Sequence, residues 1–413
     1  MSQSSRTILI LGGSPFQIPV IRYARSAGYH VVTCDYLPDN PGHEYAHEYH
    51  NVSTTDMDGV LALARDLHVH GILAYASDPA AATAAYVGNR LGLPSNPYES
   101  VRVLTNKDLY RDFLRGHGFT APRAWTIAVR NGELPAIPDV PFPVMVKPVD
   151  SSGSKGVSRI ASREGLADAI QDAARFSRAG RIIFEEYIVR EGPQIGGEAF
   201  VLNGKLVFMC LGDQIVDAKC NPYVPAGMLF PSRIGTDLYA RIASDLQRLL
   251  DLLDFSFGGL NLEIMVDKER RLYLMEVGPR TGGNFLPELM HYCADADIAK
   301  YSVESALGHE IPELSGLPAS PRCDGFFAYS TIHSRTAGIL RSVRLSEQVQ
   351  SHVLEMHQFK YPGDKIEAYN GSNCTIGILL LGFGTRRQME EMISGMSSHI
   401  AVNVGCDAEA SEK

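Results

Sequence analysis

Strand and helix patterns alternate along the first hundred residues, and paired strands crowd the middle of the chain. Together they predict an α/β protein whose central part is α+β. A third observation points to a working site: Glu263 and Glu276 bracket two apolar runs joined by a polar turn. A length of 413 residues implies two or three domains with ample core.

Thr7 to Leu11 is a buried-strand run, followed by Gly12-Gly13-Ser14. A helix fits Pro15 to Ala27, with Phe16, Val20, Ile21 and Ala24 on one face, and Gly28 ends it. His30 to Cys34 is the second strand, closed by Asp35. A helix from Met57 to Leu67, capped by Asp56, precedes a strand from Gly71 to Tyr75, and another helix runs from Pro79 to Leu91. Such alternation implies a Rossmann-like parallel sheet with right-handed crossovers. The GxGxxG fingerprint is absent, because Gly12-Gly13-Ser14-Pro15-Phe16-Gln17 lacks the second and third glycines; a nicotinamide cofactor is not expected. Gly12, Gly13, Ser77 and Asp78 still fall at the carboxyl ends of strands, where such sheets bind ligands. Turn and cap chemistry explains them equally well.

Thr105-Asn106-Lys107 opens a helix reaching Arg115, ended by Gly116-His117-Gly118. After a loop with Pro135, Pro138, Pro141 and Pro143, the strand Val144-Met145-Val146 delivers Lys147, and Pro148 stops its ladder. Asp150-Ser151-Ser152-Gly153-Ser154-Lys155-Gly156 is a small-residue loop of the kind that lets backbone amides approach phosphates, though a plain hairpin loop reads the same way. It is not a Walker A loop. Arg181 to Phe184 is a strand running into Glu185-Glu186-Tyr187-Ile188. Ala199 to Asn203 and Lys205 to Leu211 form a hairpin around Asn203-Gly204, and a long helix spans Thr236 to Leu253.

The glutamate hairpin follows. Ile264-Met265-Val266 and Leu272-Tyr273-Leu274 are the strands, and Asp267 to Arg271 is the turn. If the hairpin is symmetric about Glu269/Arg270, then 266 faces 273, 265 faces 274, 264 faces 275 and 263 faces 276. The two carboxylates then lie roughly 5 Å apart on one face. Two like charges so placed make sense around a divalent cation, and hard oxygen donors point to Mg²⁺ completing its shell with phosphate and water. An amphipathic hairpin with two exposed glutamates is the plainer alternative.

Asp213 to Ser232 reads as a long, proline-marked loop shaped for binding, with Lys219, Tyr223 and Arg233 as candidate substrate contacts, or else as a surface loop. From Ile311, Pro312, Pro318 and Pro321 mark a linker. Phe326 to Ile332, Ile339 to Val343, Cys374 to Leu381 and Ala401 to Val404 read as strands, Arg387 to His399 as a helix, and Cys406 to Lys413 as a frayed tail.

Composition narrows the function. With 45% hydrophobic and 21% charged residues the chain is globular, and a net charge of −9 argues against nucleic acid as the partner. Seven cysteines (34, 210, 220, 293, 323, 374 and 406) are dispersed without a CxxC pair, which suggests reduced thiols and a cytoplasmic location. Met1 to Arg6 shows no signal-peptide pattern. No apolar run approaches the ~20 residues that span a bilayer, so no membrane partner is expected.

The order of these motifs resembles the ATP-grasp superfamily, in its carboxylate–amine ligase type. The likeness over residues 105 to 285, with the α/β domain before it, covers most of the chain. It is also similar to L-amino acid ligases and biotin-carboxylase-like proteins. The resemblance implies an N-terminal domain at 1–104, an ATP-grasp domain at 105–310 with a small mobile lid at about 122–187, and a C-terminal α+β lobe at 311–413. It implies ATP and Mg²⁺ (or Mn²⁺) as cofactors. Lys107 and Lys147 match the phosphate-binding lysines, and Ser151, Ser152, Gly153, Ser154 and Gly156 the mobile loop over the phosphates. Glu185, Glu186 and Ile188 match the adenine hinge, and Glu191 the ribose acid. Glu198 stands where relatives place a phosphate- or substrate-side acid, and Ser77 and Asp78 border the substrate side. Glu263 and Glu276 match the metal-binding acids, and Arg280 the arginine that steadies an acyl-phosphate; Arg280, Lys147 and Glu276 would be catalytic.

One position departs from the pattern. Where many relatives carry an asparagine ligand, this chain has Gly278, so water, Asn261 or Asn284 takes its place, or one metal binds weakly. The implied reaction is ADP-forming ligation of a small-molecule carboxylate to an amine, with a homodimer as the family's assembly. Bicarbonate activation, as in carboxylases and carbamoyl-phosphate synthesis, and a non-catalytic nucleotide-binding module are the rival readings. No Met-Lys-Met biotinylation motif occurs.

Overall fold

The computed structural model describes residues 6–129, 137–314 and 323–405. Pro135, Pro318, Pro321, the segment before Arg6 and the expected tail at 406–413 lie outside them.

The chain opens with β1 (Thr7–Leu11), α1 (Ile18–Ser26), β2 (His30–Cys34), β3 (Glu48–His50), α2 (Met57–Asp66), β4 (Gly71–Ala74) and α3 (Asp78–Leu91). The four strands are parallel, in the order β3-β2-β1-β4. Ile8, Leu9, Ile10 and Leu11 have no exposure, as a parallel sheet covered on both faces requires. Asp56 caps α2 through the Gly59 amide, as expected. The strand β3 is new: Glu48-Tyr49-His50 is too short and polar to show a period-two signal. The tight Gly12-Gly13 turn serves packing, because a Cβ on Gly13 would sit 2.2 Å from the His43 ring.

Next come α4 (Tyr98–Thr105), α5 (Lys107–Gly116), β5 (Ala124–Ala128), β6 (Val144–Pro148), β7 (Ser158–Ile160), α6 (Leu166–Phe176) and β8 (Arg181–Glu186). The strands make an antiparallel sheet in the order β5-β8-β6-β7. Its apolar face (Val144, Val146, Ile182, Phe184) packs on Leu166, Ala169, Ile170 and Ala173 of α6. Pro148 is the last residue of β6, as expected. It stays in register with Ile182 of β8, while pairing with β7 stops at Val146.

The remaining elements are β9 (Ile195–Leu202), β10 (Lys205–Val216), β11 (Pro225–Phe230), α7 (Thr236–Leu252), β12 (Gly258–Val266), β13 (Leu272–Gly278), α8 (Leu286–Ala294), α9 (Ile298–Ala306), β14 (Phe326–Ile332), β15 (Gly338–Leu345), α10 (Glu347–Gln350), β16 (Val353–Gln358), β17 (Lys365–Ile366), β18 (Gly377–Phe383), α11 (Arg386–Ser394), α12 (Met396–His399) and β19 (Ile400–Gly405). Eight strands form one sheet in the order β13-β12-β9-β10-β11-β14-β18-β16, so the C-terminal strands continue the sheet that carries the two glutamates. β17, β15 and β19 make a separate three-stranded sheet. Among the described residues no helix is long and apolar enough to cross a membrane.

Two expectations are corrected here. The long loop at 213–232 shrinks to 217–224, because β10 runs on to Val216 and β11 pairs with both β10 and β14. Pro225 is tolerated as the first residue of its strand. The helix expected over 387–399 is two helices, broken at Gly395.

The large sheet has two unlike faces near its β13 edge. Ala199, Val201, Leu260, Leu262 and Val277 pack with Ile242, Leu246, Leu249 and Leu250 of α7. The alternate residues Glu198, Asn261, Glu263 and Glu276 therefore share the opposite face, through period-two alternation and cross-strand register.

Candidate active site

Glu263 and Glu276 are cross-strand partners, as the symmetric hairpin predicted, but by a different route. The turn closes one residue tighter, so Val266 pairs with Leu272 and Ile264 with Leu274. Asp267 organises this turn: its carboxylate accepts from the Arg271 amide at 2.8 Å, and Arg270 takes a left-handed φ of 59°. Met275 is then an extra residue, a β-bulge between Leu274 and Glu276. Leu272, Leu274 and Val277 all enter the core under α7, and the odd step from 274 to 277 is what turns Glu276 to the polar face.

Gln194 Nε2 donates to Glu263 Oε2 at 3.0 Å, and Lys107 Nζ lies 3.4 Å from Glu276 Oε2. Burial, and then the charge of Glu276, push the Glu263 carboxyl up to about 7. Two opposed carboxylates, one resisting ionisation, form an oxygen-only donor pair whose repulsion a hard divalent cation would relieve, so these residues fit Mg²⁺.

The structure explains Gly278. A Cβ there would lie 3.2 Å from Asp78 Oδ1 and 3.4 Å from Arg280 Cζ. Asp78, at the start of α3, takes up this space and pairs twice with Arg280, through Nε–Oδ1 at 2.7 Å and Nη2–Oδ2 at 2.5 Å. Asn261, on the same face, donates its Nδ2 to Glu198 Oε1 at 3.1 Å and to the Gly197 carbonyl at 3.3 Å. Asn284 Nδ2 donates to the Tyr329 hydroxyl at 3.4 Å.

Lys147 leaves β6 beside β8 and donates to Glu185 Oε2 at 2.6 Å, while Arg111 Nε stands 2.9 Å from Glu185 Oε1. Glu185 is 1% exposed. Burial alone would raise its pKa, but the Arg111 and Lys147 charges outweigh that and hold it at about 2. Arg111 went unnoticed in the sequence, although it stands one helical turn beyond Lys107 on α5 and so shares its face. The Lys107 amide donates to Val149 O and its ammonium to Ser151 O, both at 2.9 Å, tying the start of α5 to the glycine/serine loop.

That loop is folded down in this structure. Ser154 Oγ donates to the Tyr223 carbonyl at 2.8 Å, and Gly153 (φ 66°) approaches Ser372 so closely that a Cβ would come within 2.2 Å of its hydroxyl. Ser152 and Gly156 complete the loop, with Gly156 at a left-handed φ of 69°.

Glu198 is fully buried. Burial raises its carboxyl to about 8, and while Oε1 accepts from Asn261 and the Gly282 amide, Oε2 has no partner. Glu288 of α8, raised by burial to about 7, accepts from the Tyr75 hydroxyl at 3.2 Å; no sequence motif had pointed to it. A cavity of about 300 Å³ opens beside Glu276 and Lys107, lined also by Asp78, Asn106, Ser151 and Arg178.

Other expected residues stand apart. Glu186 pairs with Arg123 at 3.1 Å, Ile188 is half-buried, and Glu191 is exposed, with its amide bound to Val266 O. Lys219 is exposed on the 217–224 loop, and Arg233 is held by Glu390 of α11 at 2.9 Å. Tyr223 contributes its carbonyl to the loop seat, and Ser77 is the residue before α3, with no side-chain cap bond.

Comparison with known proteins agrees with this geometry. Residues 140–288 match the family model of the ATP-grasp domain, and the chain carries that domain. It is similar to a formate-dependent phosphoribosylglycinamide formyltransferase of Parasynechococcus marenigrum, at 31% identity over 193 residues, covering 46% of this chain and 49% of that protein. Among solved structures it is similar to an L-amino acid ligase from Bacillus licheniformis (TM-score 0.80, 18% identity, 98% of this chain and 100% of that one). It is also similar to a phosphoribosylglycinamide synthetase from Anaerococcus prevotii (TM-score 0.74, 19% identity, 97% and 100%). The chain spans about half the length of the curated relatives it matches.

Proposed function

We propose that this chain is an ADP-forming ligase that activates a small-molecule carboxylate with MgATP and joins it to an amine. The observation that carries the reading is the opposed pair Glu263 and Glu276, with Lys107 at 3.4 Å from Glu276. The ATP-grasp domain match supports it.

In this reading Glu263 and Glu276 would hold Mg²⁺, which would offset negative charge on the nucleotide phosphates. Asp78, whose oxygens are both engaged by Arg280, stands beside Gly278 and leaves water to take the place of the asparagine ligand. Lys107 and Lys147 steady the phosphates, with Glu185 and Arg111 fixing the direction of Lys147. A substrate carboxylate oxygen attacks the terminal phosphorus, the bond to ADP breaks, and an acyl-phosphate forms. The amine then attacks the acyl carbon, phosphate leaves, and the nitrogen loses a proton. No protein nucleophile is needed. Arg280, oriented by Asp78, faces the charge that develops at the acyl group. Glu198 keeps its proton at neutral pH and offers its unpartnered oxygen as a donor. The loop at 151–156, seated on Tyr223 and Ser372, keeps water from the labile intermediate. A homodimer and a cytoplasmic location belong to the same reading.

The test is ADP and phosphate release measured over a panel of amino acids and small carboxylates, singly and in pairs. Release that needs both a carboxylate and an amine is the expected result. AMP and pyrophosphate as products would defeat the proposal. Bicarbonate-dependent hydrolysis without an amine would move it to carboxylation, and nucleotide binding without turnover on any substrate to a binding module.

A further inference from the structure

Away from the glutamate pair, the 217–224 loop meets the end of β14. There Asp217, Cys220 and His333 bring one ligand atom each to within 4.8 Å of one another. Among the described residues no other trio of His, Cys, Asp and Glu meets so closely. We propose that these three side chains bind a transition-metal cation of the zinc class, at a site separate from the nucleotide centre and independent of the ligase reading.

The contacts converge on one oxygen. Asp217 Oδ2 lies 3.2 Å from His333 Nε2 and 3.5 Å from Cys220 Sγ. In a tetrahedral zinc site, ligand atoms stand about 3.5 Å apart, so both contacts of Asp217 Oδ2 are already near that spacing. Asp217 Oδ1 is fixed separately by the Lys219 amide at 3.0 Å.

The imidazole is oriented as a ligand would be. His333 Nδ1 lies 3.0 Å from Thr331 Oγ1 and 3.2 Å from the Thr331 carbonyl. The Thr331 hydroxyl spends its own proton on Ala226 O at 3.1 Å. Nδ1 is therefore the donor, and in the neutral ring the lone pair sits on Nε2, facing a carboxylate oxygen. A proton or a metal ion must lie between them. Metal-bound histidines are commonly held this way, by a bond from the second nitrogen to a neighbouring oxygen. Stacking on Tyr369, with ring centroids 4.3 Å apart, fixes the ring plane.

The donor set selects the ion. Thiolate, imidazole and carboxylate suit zinc better than magnesium or calcium, which take oxygen shells. Arg335 also reaches Asp217 Oδ2, at 3.0 Å, from a side chain 44% exposed. It can stay on the outer side of the carboxylate while the ion takes the inner one. A bound ion would tie the 217–224 loop to β14, beneath the carbonyl on which the glycine/serine loop rests.

The test uses the full chain, stripped with a chelator and titrated with Zn²⁺, then Co²⁺, in excess Mg²⁺. One zinc per chain after gel filtration, and a thiolate-to-cobalt charge-transfer band, are expected. Cys220→Ser and His333→Ala should each weaken binding about 100-fold or more, and Cys220→Ser should abolish the band. Cys374→Ser should keep both, with thermal melting confirming the fold of each variant. A folded wild-type chain that retains no stoichiometric zinc would overturn the proposal. So would binding untouched by both ligand variants, which would put the ion elsewhere, for example at the surface histidines His30, His47 and His50. If Cys220→Ser fails to fold, the wild-type cobalt band and His333→Ala still decide.

Discussion

Glu276 faces Glu263 because Met275 bulges out of β13, and the same bulge keeps Leu274 and Val277 together in the core beneath α7. Lys107 Nζ stands 3.4 Å from Glu276 Oε2. Glu276→Ala removes a donor without touching that core. It should lower Mg²⁺-dependent ADP release by about 100-fold or more and leave the circular dichroism spectrum and melting temperature nearly unchanged. Undiminished turnover would place the metal elsewhere.

Glu198 gives a pH signature. Its folded pKa of about 8 lies above the ordinary carboxylate value of 4.5. The folded state therefore holds a proton that the unfolded state has lost between those values, and the stability from that site declines as pH rises from about 4.5 through 8. Glu198→Gln keeps the acceptor for Asn261 and Gly282 and cannot ionise. Thermal unfolding with chelator present, from pH 6 to 9, should show a smaller loss of melting temperature in the variant than in the parent, and a more stable variant at pH 8. Parallel curves would show that Glu198 is ionised throughout.

Arg111 and Glu185 form a buried ion pair at 2.9 Å, with Lys147 as third member. Arg111→Ala strands most of the Glu185 charge at 1% exposure. Urea unfolding should show a loss of about 3–5 kcal/mol. A loss below 1 kcal/mol would mean that Lys147 alone balances the acid.

Gly278→Asn puts the residue that many relatives carry where its Cβ would stand 3.2 Å from Asp78 Oδ1 and 3.4 Å from Arg280 Cζ, so the Asp78–Arg280 pair must give way. Displacing that pair should lower kcat/KM by about 100-fold, with nucleotide affinity largely kept. A gain in activity would mean that the asparagine restores a missing ligand.

Gly153 rests against Ser372 at a φ of 66°. Gly153→Ala should hold the loop off its seat and raise the KM for nucleotide about tenfold, a change of about 1.4 kcal/mol. Ser372→Gly in the same background should recover part of the loss.

Much of the scaffold could be read in advance from local periodicity. The strands β1 and β2, the Asp56 cap, the Lys107 helix and the Asn203-Gly204 turn depend on neighbours close in the chain, and those patterns are written in order. The short polar strand β3 carries no such pattern. The segment now in β10 and β11 read as a loop because Pro222, Pro225 and Pro231 suggested one, whereas pairing with β14, about a hundred residues away, makes it sheet. The Glu263–Glu276 pairing was legible, but the tighter turn and the bulge at Met275 that produce it were not.

By itself the sequence determined the chemical inventory: paired acids, strand-end and helix-opening lysines, a small-residue loop, and the periodicities that sort apolar from polar faces. Those are properties of residue type and spacing over a few positions. Tertiary structure alone decided that Asp78 fills the gap left by Gly278, that Arg111 and Lys147 share Glu185, and that Asp217 meets His333. Each of these contacts joins segments dozens to hundreds of residues apart, and its energy depends on burial and distance, which appear only once the sheets have packed.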